Sequence, residues 1–538
     1  MKFLSTLLDG VTEYETLVSA VERHNTPAAV TGVSGIHKAH LIHSLCARTG
    51  RKALVLASDE GEGQRLCNDL SSMGTAALVY PARDFNFRAA EGQSREYEHQ
   101  RLQVMAGMLD GDYQVVISCI DAALQYTIPP DELRSKRLTL RAGQEAPLEK
   151  IEALLSASGY ERYQQVEGPG QFAVRGGILD FFTPDASAPV RVEFWGDEID
   201  TLCYFDPETQ RRTDDPLEEI TLAPSTEVLV SSPGSLAKKI ERLSAGLRGK
   251  TAVRAKERLA QEADQLLAGK RPGSADKFLP LLYPSPATLL DYLEPEALVF
   301  QSEPIKIKER LRSTAWQWGE DLKDYLEEGI LCKGLDAFSG DYIYVQKQLE
   351  HRDCVYLDTF VRGSYDTPLS SLISLNARQL SVWGGGMQLL QEDLNAILSP
   401  KMRIVVLGGT ERSARAAAED LQNSGVPCEY RDDAKTLSLG DGAARQPFRR
   451  VRVPNGQFCA DHPRPLRGGA QKDQKTAEKR QGDLQPFRAG PRGLYRPFGP
   501  WRRRVRGDSQ AGNARGHQGL FKGTLCQGGH FICARHPA

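Results

Sequence analysis

The stretch AVTGVSGIHKAH, Ala29 to His40, puts glycines and a lysine where a phosphate could be held. A phosphate-binding loop reads G-x-x-x-x-G-K-[ST]. Its backbone N–H groups cradle the phosphates, the Lys reaches them and the hydroxyl holds Mg²⁺. Gly32 opens the loop, Gly35 lies inside it and Lys38 is present, but His37 replaces the second Gly and Ala39 replaces the hydroxyl. His37 adds a Cβ where the backbone must approach a phosphate closely. Hydrolysis also needs an acidic residue after a second apolar strand, to hold the metal and position water. The best such strand, ALVFQSEP, offers Gln301 and Ser302 before Glu303 and no Asp. Losses in two parts of one machine predict a nucleotide site without catalysis. On these residues alone, a strand–loop–helix turn that never held nucleotide is the alternative.

A second constellation lies in FAVRGG and VRVEFW, with Arg175, Arg191, Phe194 and Trp195. In a strand Arg191, Glu193 and Trp195 face one side, and Val192 and Phe194 the other. With the even-numbered side in the core, Arg191 and Trp195 share the solvent face, the composition of a protein-interaction hot spot. An edge ion pair of Arg191 with Glu193 beside a partly buried Trp is the plainer reading. A third set, Cys526, His530, Cys533 and His536 in CQGGHFICARH, has zinc-ligand chemistry, but its spacing matches no common finger. We assign no metal there.

The elements that must position these residues fall into distinct textures. Residues 1–124 alternate strand-length apolar runs (TPAAVTGV, KALVLAS, YQVVIS) with helical stretches closed by Gly50 and Gly74, which predicts a parallel α/β sheet. Residues 125–222 alternate apolar and polar between Gly, Pro and Asp, and predict a β-rich insert. Residues 223–335 return to helical patterns, followed by the strand-like EALVFQSEP. The alternation restarts around CVYLDTF, and 340–436 reads as a separate small α/β domain with a helix from Glu411 to Ser424 stopped by Gly425. From 440 to 538 periodicity disappears under Arg, Gly, Pro and Gln, a composition expected to be disordered.

The net charge of −2 conceals an asymmetry, because 441–538 hold 20 Lys+Arg against 6 Asp+Glu, a net of +14. Such a tail suggests nucleic-acid binding. The ten cysteines include no C-x-x-C pair, which suits reduced thiols. No apolar run reaches membrane-spanning length, and MKFLSTLLDG is too short for a signal peptide. The expectation is a soluble cytoplasmic protein.

GQFAVRGGILDFFTP and PVRVEFWGDEIDTLCYFDPETQR closely resemble the insert domain of bacterial transcription-repair coupling factors. TGVSGIHKAH, YPARDFNF, SREYEHQRL and LLDYLEPEALVFQSEP resemble the UvrB-like module around it. The resemblance runs from residue 1 to about 435. It implies a degenerate phosphate-loop fold without ATPase activity, and an insert that binds the excision-repair protein UvrA through Arg175, Arg191 and Trp195. UvrB itself keeps an intact loop and a long Tyr-rich hairpin, for which YPARDFNFRAAEGQSREYEHQRL is too short. In that family RNA polymerase, DNA, ATP and Mg²⁺ engage further domains that this chain lacks, so no catalytic residue and no cofactor are assigned here. The tail fits out-of-frame translation: RQPFRRVRVP, Arg445 to Pro454, can be encoded so that one base later it reads GNLSGGFEYP, which resembles the family. On that reading a frameshift near Gly440 produced the basic tail and its zinc-like set. The rival functions are a UvrB-type ATP-dependent repair subunit and a basic-tailed nucleic-acid binder.

Overall fold

Four short apolar runs form β1 (Ala28–Thr31), β2 (Ala53–Ala57), β3 (Ala77–Tyr80) and β4 (Val115–Cys119). The computed structural model describes residues 2–88, 94–365, 367–375, 377 and 411–426, with isolated positions at 388, 392, 394, 406–407, 444–445, 525–526 and 530–531. The helix Ile36–Thr49 follows β1 and closes on Gly50 in the left-handed conformation, φ 68°. The helix Glu60–Ser72 follows β2, its first turn capped by the Asp59 side chain, which accepts from the Glu62 N–H.

The insert then contributes β5 (Leu138–Arg141), β6 (Glu161–Arg162), β7 (Gln171–Arg175), β8 (Ile178–Phe181), β9 (Val190–Trp195), β10 (Glu198–Phe205), β11 (Arg212–Pro216) and β12 (Glu219–Leu222). The chain returns through helices and adds β13 (Leu298–Ser302), β14 (Cys354–Asp358) and β15 (Ser371–Ser374). These three join the first four in one seven-stranded parallel sheet, ordered β15-β1-β14-β13-β2-β4-β3.

This sheet is covered on both faces, which is why its central strands read as unbroken apolar runs. Along β2, Leu54 and Leu56 enter one core with Met105, Leu124 and Val299. Ala53, Val55 and Ala57 enter the other with Leu41, Leu45 and Phe300. The insert has a core of its own, in which Phe172, Phe181, Val190, Val192 and Leu202 pack against Ile151 and Leu155 of the helix Leu148–Ala157. Its main sheet runs β11-β10-β9-β8-β7-β6, with β12 and β5 paired separately.

Two organisational differences from the sequence reading emerge. The separate domain expected from residue 340 does not begin there, because β14 and β15 both flank β1, with Ala28 opposite Val355 on one side and Ser371 on the other. Local β/α alternation looks the same whether it extends an existing sheet or starts a new one. At the other junction, Leu124, Ile128 and Leu133 are buried in the core of the α/β domain, so the insert's own strands start at Leu138 rather than near 125. The helix Glu411–Asn423 is present, with Gly425 at φ 80° behind it.

The return from the insert is tied down by buried charge. Arg101 donates from Nε and Nη2 to the two oxygens of Glu227, at 2.7 and 3.2 Å, and from Nη1 to Gln125 at 2.8 Å. Arg83 faces Glu98, Glu227 and Asp276 in the same cluster. Glu98 is pushed up by its burial, but Arg83 and its other cationic neighbours outweigh this and hold it at about 2.

Candidate functional site

The loop that carries Gly32, Gly35 and Lys38 begins where β1 ends. Gly32 sits at φ 81°, and a Cβ there would overlap the carbonyl oxygen of Leu375, so this position demands glycine for a reason internal to the fold. Gly35 at φ 46° faces open space. His37, Lys38 and Ala39 are all buried, and the Ala39 methyl, standing where the hydroxyl would be, packs into the apolar core.

The sheet order brings Lys38 beside Ser302 and Glu303. Lys38 Nζ donates to Ser302 Oγ at 2.8 Å, Glu303 Oε1 at 2.8 Å and Glu62 Oε1 at 3.3 Å. A lysine ammonium has three donors, and these three acceptors use them all. Ser302 in turn donates to Glu62 at 2.6 Å, and the other Glu62 oxygen accepts from the Ser58 N–H and hydroxyl. Glu303 accepts from Thr359 N–H at 2.9 Å and Thr359 Oγ1 at 2.6 Å. Arg362 pairs with Asp358 and approaches Glu303 at 3.6 Å.

The electrostatics follow from this wiring. Burial raises Glu62, but Lys38 and the hydrogen bonds from Ser302 and Ser58 override it and hold the carboxyl at about 2. Glu303 is likewise lowered, its burial outweighed by Lys38 and Thr359. Burial moves Asp358 up despite Tyr365 and Arg362. Glu303 holds a left-handed backbone, φ 56° and ψ 64°, which costs a residue with a Cβ about 1 kcal/mol. Two carboxylates, Glu62 and Glu303, thus take up the Lys38 ammonium beside the hydroxyls of Ser302 and Thr359.

The insert presents the second site. Residues Arg175 and Ile178 pair across Gly176 (φ 60°) and Gly177, while Trp195 and Glu198 pair across Gly196 (φ 65°) and Asp197. Glycine at the first central residue is what a tight two-residue hairpin requires. Arg175 and Trp195 therefore lie at neighbouring hairpin tips, tied by the Phe194 N–H to Gly177 carbonyl bond of 2.8 Å. Register places Asp180 opposite Ala173 on one side and Arg191 on the other, so Arg175, Asp180, Arg191, Glu193 and Trp195 share one face.

Trp195 is 83 % exposed, so the partly buried alternative does not hold. Nor does the expected Arg191–Glu193 pair: Arg191 donates to Asp180, from Nε at 2.7 Å and Nη2 at 2.8 Å, while Glu193 faces Arg212 at 3.7 Å. Arg175 donates to the same Asp180 at 2.6 Å. Arg191 also bonds the Gln210 carbonyl at 3.2 Å, and its guanidinium lies 4.8 Å from the centre of the Phe205 ring.

Sequence reasoning missed Asp180, Phe205 and Gln210 here, and Glu62, Thr359 and Arg362 around Lys38. Asp180 did leave a signal, as the one charge inside the apolar strand GILDFF. In the zinc-like set of the tail, Cys533 and His536 lie outside the described residues, and of Cys526 and His530 only the backbone is described. Glu60, Cys119 and Asp121 approach one another as metal ligands could, but Arg310 is paired with both carboxylates. No helix among the described residues is long and apolar enough to cross a membrane.

Residues 138–228 match the UvrB interaction domain family, a span that contains β5 to β12. The chain is 23 % identical over 452 residues to the transcription-repair-coupling factor of Bacillus subtilis (strain 168), covering 82 % of this chain and 38 % of that protein. It is 22 % identical over 435 residues to the transcription-repair-coupling factor of Staphylococcus aureus (strain MRSA252), covering 79 % of this chain and 37 % of that protein. The chain thus spans less than two fifths of the length of these curated relatives, and its similarity to them is that of their N-terminal region.

Proposed function

We propose that the chain acts as the partner-recruiting, N-terminal portion of a transcription-repair coupling factor, docking UvrA through Arg175, Arg191 and Trp195. The observation that carries this reading is Trp195, 83 % exposed at a hairpin tip inside the matched UvrB interaction domain. A Trp beside Arg on a rigid sheet is the residue chemistry of an interface hot spot. On this reading the α/β domain is a scaffold, and ATP-driven translocation and contacts to RNA polymerase and DNA belong to further domains of the family. The closed Lys38 network supports a scaffold over a UvrB-type ATP-dependent subunit.

The test is titration of the chain against purified UvrA, with Trp195→Ala as the variant. Loss of a hot-spot Trp costs 2 kcal/mol or more, about thirtyfold in affinity, and the melting temperature should not change. Equal binding by Trp195→Ala overturns the reading. Millimolar ATP should leave the melting temperature unmoved. A rise with ATP that disappears in Lys38→Ala would instead favour the ATP-dependent subunit.

A further inference from the structure

We infer that Asp180 is a positioning residue that presets both arginines of the insert face, dividing the proposed UvrA contact between a fixed strut, Arg191, and two reaching groups, Arg175 and Trp195. The inference rests on the reading of this face as the UvrA-docking surface. Asp180 is completely buried, yet it lies on the face that carries the exposed Trp195. Its Oδ1 accepts from Arg191 Nε, and its Oδ2 accepts from both Arg191 Nη2 and Arg175 Nη2. One carboxylate therefore fixes two guanidinium groups on strands that are not adjacent, β7 and β9, with Asp180 on β8 between them.

The two arginines are not equivalent in this arrangement. The Arg191 side chain is 14 % exposed, held by Asp180, the Gln210 carbonyl and the Phe205 ring. Most of its bonding geometry is already used. Arg175 is 45 % exposed and spends one Nη donor on Asp180, leaving the rest of its fork toward solvent. A guanidinium fixed beforehand loses less freedom when it binds, and such preorganisation raises affinity without adding contacts. A charged bidentate pair is also directional, so Asp180 sets the angle at which Arg175 leaves the sheet.

The experiment compares the full chain with Asp180→Asn in two measurements. The first is the Nε–H spectrum of the arginine-labelled chain, in which Arg191 should give one exchange-protected resonance, assigned by its loss in Arg191→Lys. Asp180→Asn should abolish that protection; its persistence overturns the positioning role. The second is affinity for purified UvrA, expected to fall at least tenfold in Asp180→Asn and by a clearly smaller factor when the change is made in Arg175→Ala, where only Arg191 is left to position. Undiminished binding by Asp180→Asn overturns this inference while leaving the UvrA reading intact. Failure of the unaltered chain to bind UvrA overturns the UvrA reading, and the division of the contact with it, while the first measurement still decides whether Asp180 fixes Arg191. Should Asp180→Asn prevent the insert from folding, the cycle of Arg175→Ala and Arg191→Ala takes its place. Residues sharing one carboxylate should be non-additive by at least threefold, and additive losses overturn the inference.

Discussion

Lys38 Nζ lies 2.8 Å from Glu303 Oε1, joining the helix Ile36–Thr49 to the residue that follows β13. With Glu62 as second acceptor, the ammonium neutralises charge supplied by the fold itself. Removing one partner of a buried ion pair costs about 3 kcal/mol, because the other charge is left uncompensated. Lys38→Met should therefore destabilise the α/β domain by about that amount, measured by urea unfolding. The same network sets a pH dependence. Glu62 is held at about 2 against an ordinary 4.5, so its stabilisation is complete above pH 4.5 and disappears as pH falls toward 2. Glu62→Gln should unfold with a shallower loss across that window.

Gly32 offers a test of the loop that involves no charge. At φ 81° with the Leu375 carbonyl against it, an added methyl meets both a disfavoured backbone and a rigid neighbour. Gly32→Ala should cost about 2 kcal/mol, the scale of a residue held in a strained region. Gly35→Ala meets the same backbone sign but open space, and should cost less. Equal melting temperatures for the two variants would show that the Leu375 contact is immaterial.

What the sequence made legible is what local pattern encodes. Strand-length apolar runs and glycine stops located β1, β2 and their helices, and alternation in VRVEFW placed Trp195 outward. Pairing across long distances left no such trace. β14 looked like the start of a new domain, because nothing in CVYLDTF states that Val355 will lie beside Ala28. Lys38, Ser302 and Glu303 could be named from two motif-like stretches of the sequence. Glu62 could not, since an acid in the first turn of a helix ordinarily serves the helix dipole. The partner of Arg191 was not legible for a related reason. Glu193 is near it in sequence on the same face, whereas Asp180 becomes its neighbour only through the β8–β9 register.

Arg101 and Glu227 form the most buried ion pair of the described residues, both side chains wholly inaccessible. Glu227 lies just beyond β12, so the pair anchors the chain where it leaves the insert. Glu227→Gln keeps the shape but removes the charge that Arg101 and Arg83 both face. It should cost about 3 kcal/mol, seen as a lower urea midpoint. Unchanged stability would mean that Glu98 and Asp276 suffice for both arginines.

His40 and His43 follow Lys38 on the helix Ile36–Thr49 and should make the α/β domain acid-labile well above the carboxylate range. His40 Nε2 is 2.7 Å from the Leu4 carbonyl oxygen, and His43 Nδ1 is 2.7 Å from Thr75 Oγ1. Burial, with a smaller contribution from the neighbouring histidines His37 and His40, lowers both from 6.5 to about 4. The folded rings stay neutral while the unfolded chain takes up protons below pH 6.5. Their contribution is therefore complete above 6.5 and lost as pH falls to 4. Between pH 7 and 5 each histidine should account for up to about 2 kcal/mol, from 1.36 kcal/mol per pKa unit. Urea unfolding at the two pH values should show this loss in the unaltered chain and a smaller one in His43→Gln. Gln can still bond Thr75 but does not titrate, so an unchanged pH slope in His43→Gln would assign the acid lability elsewhere.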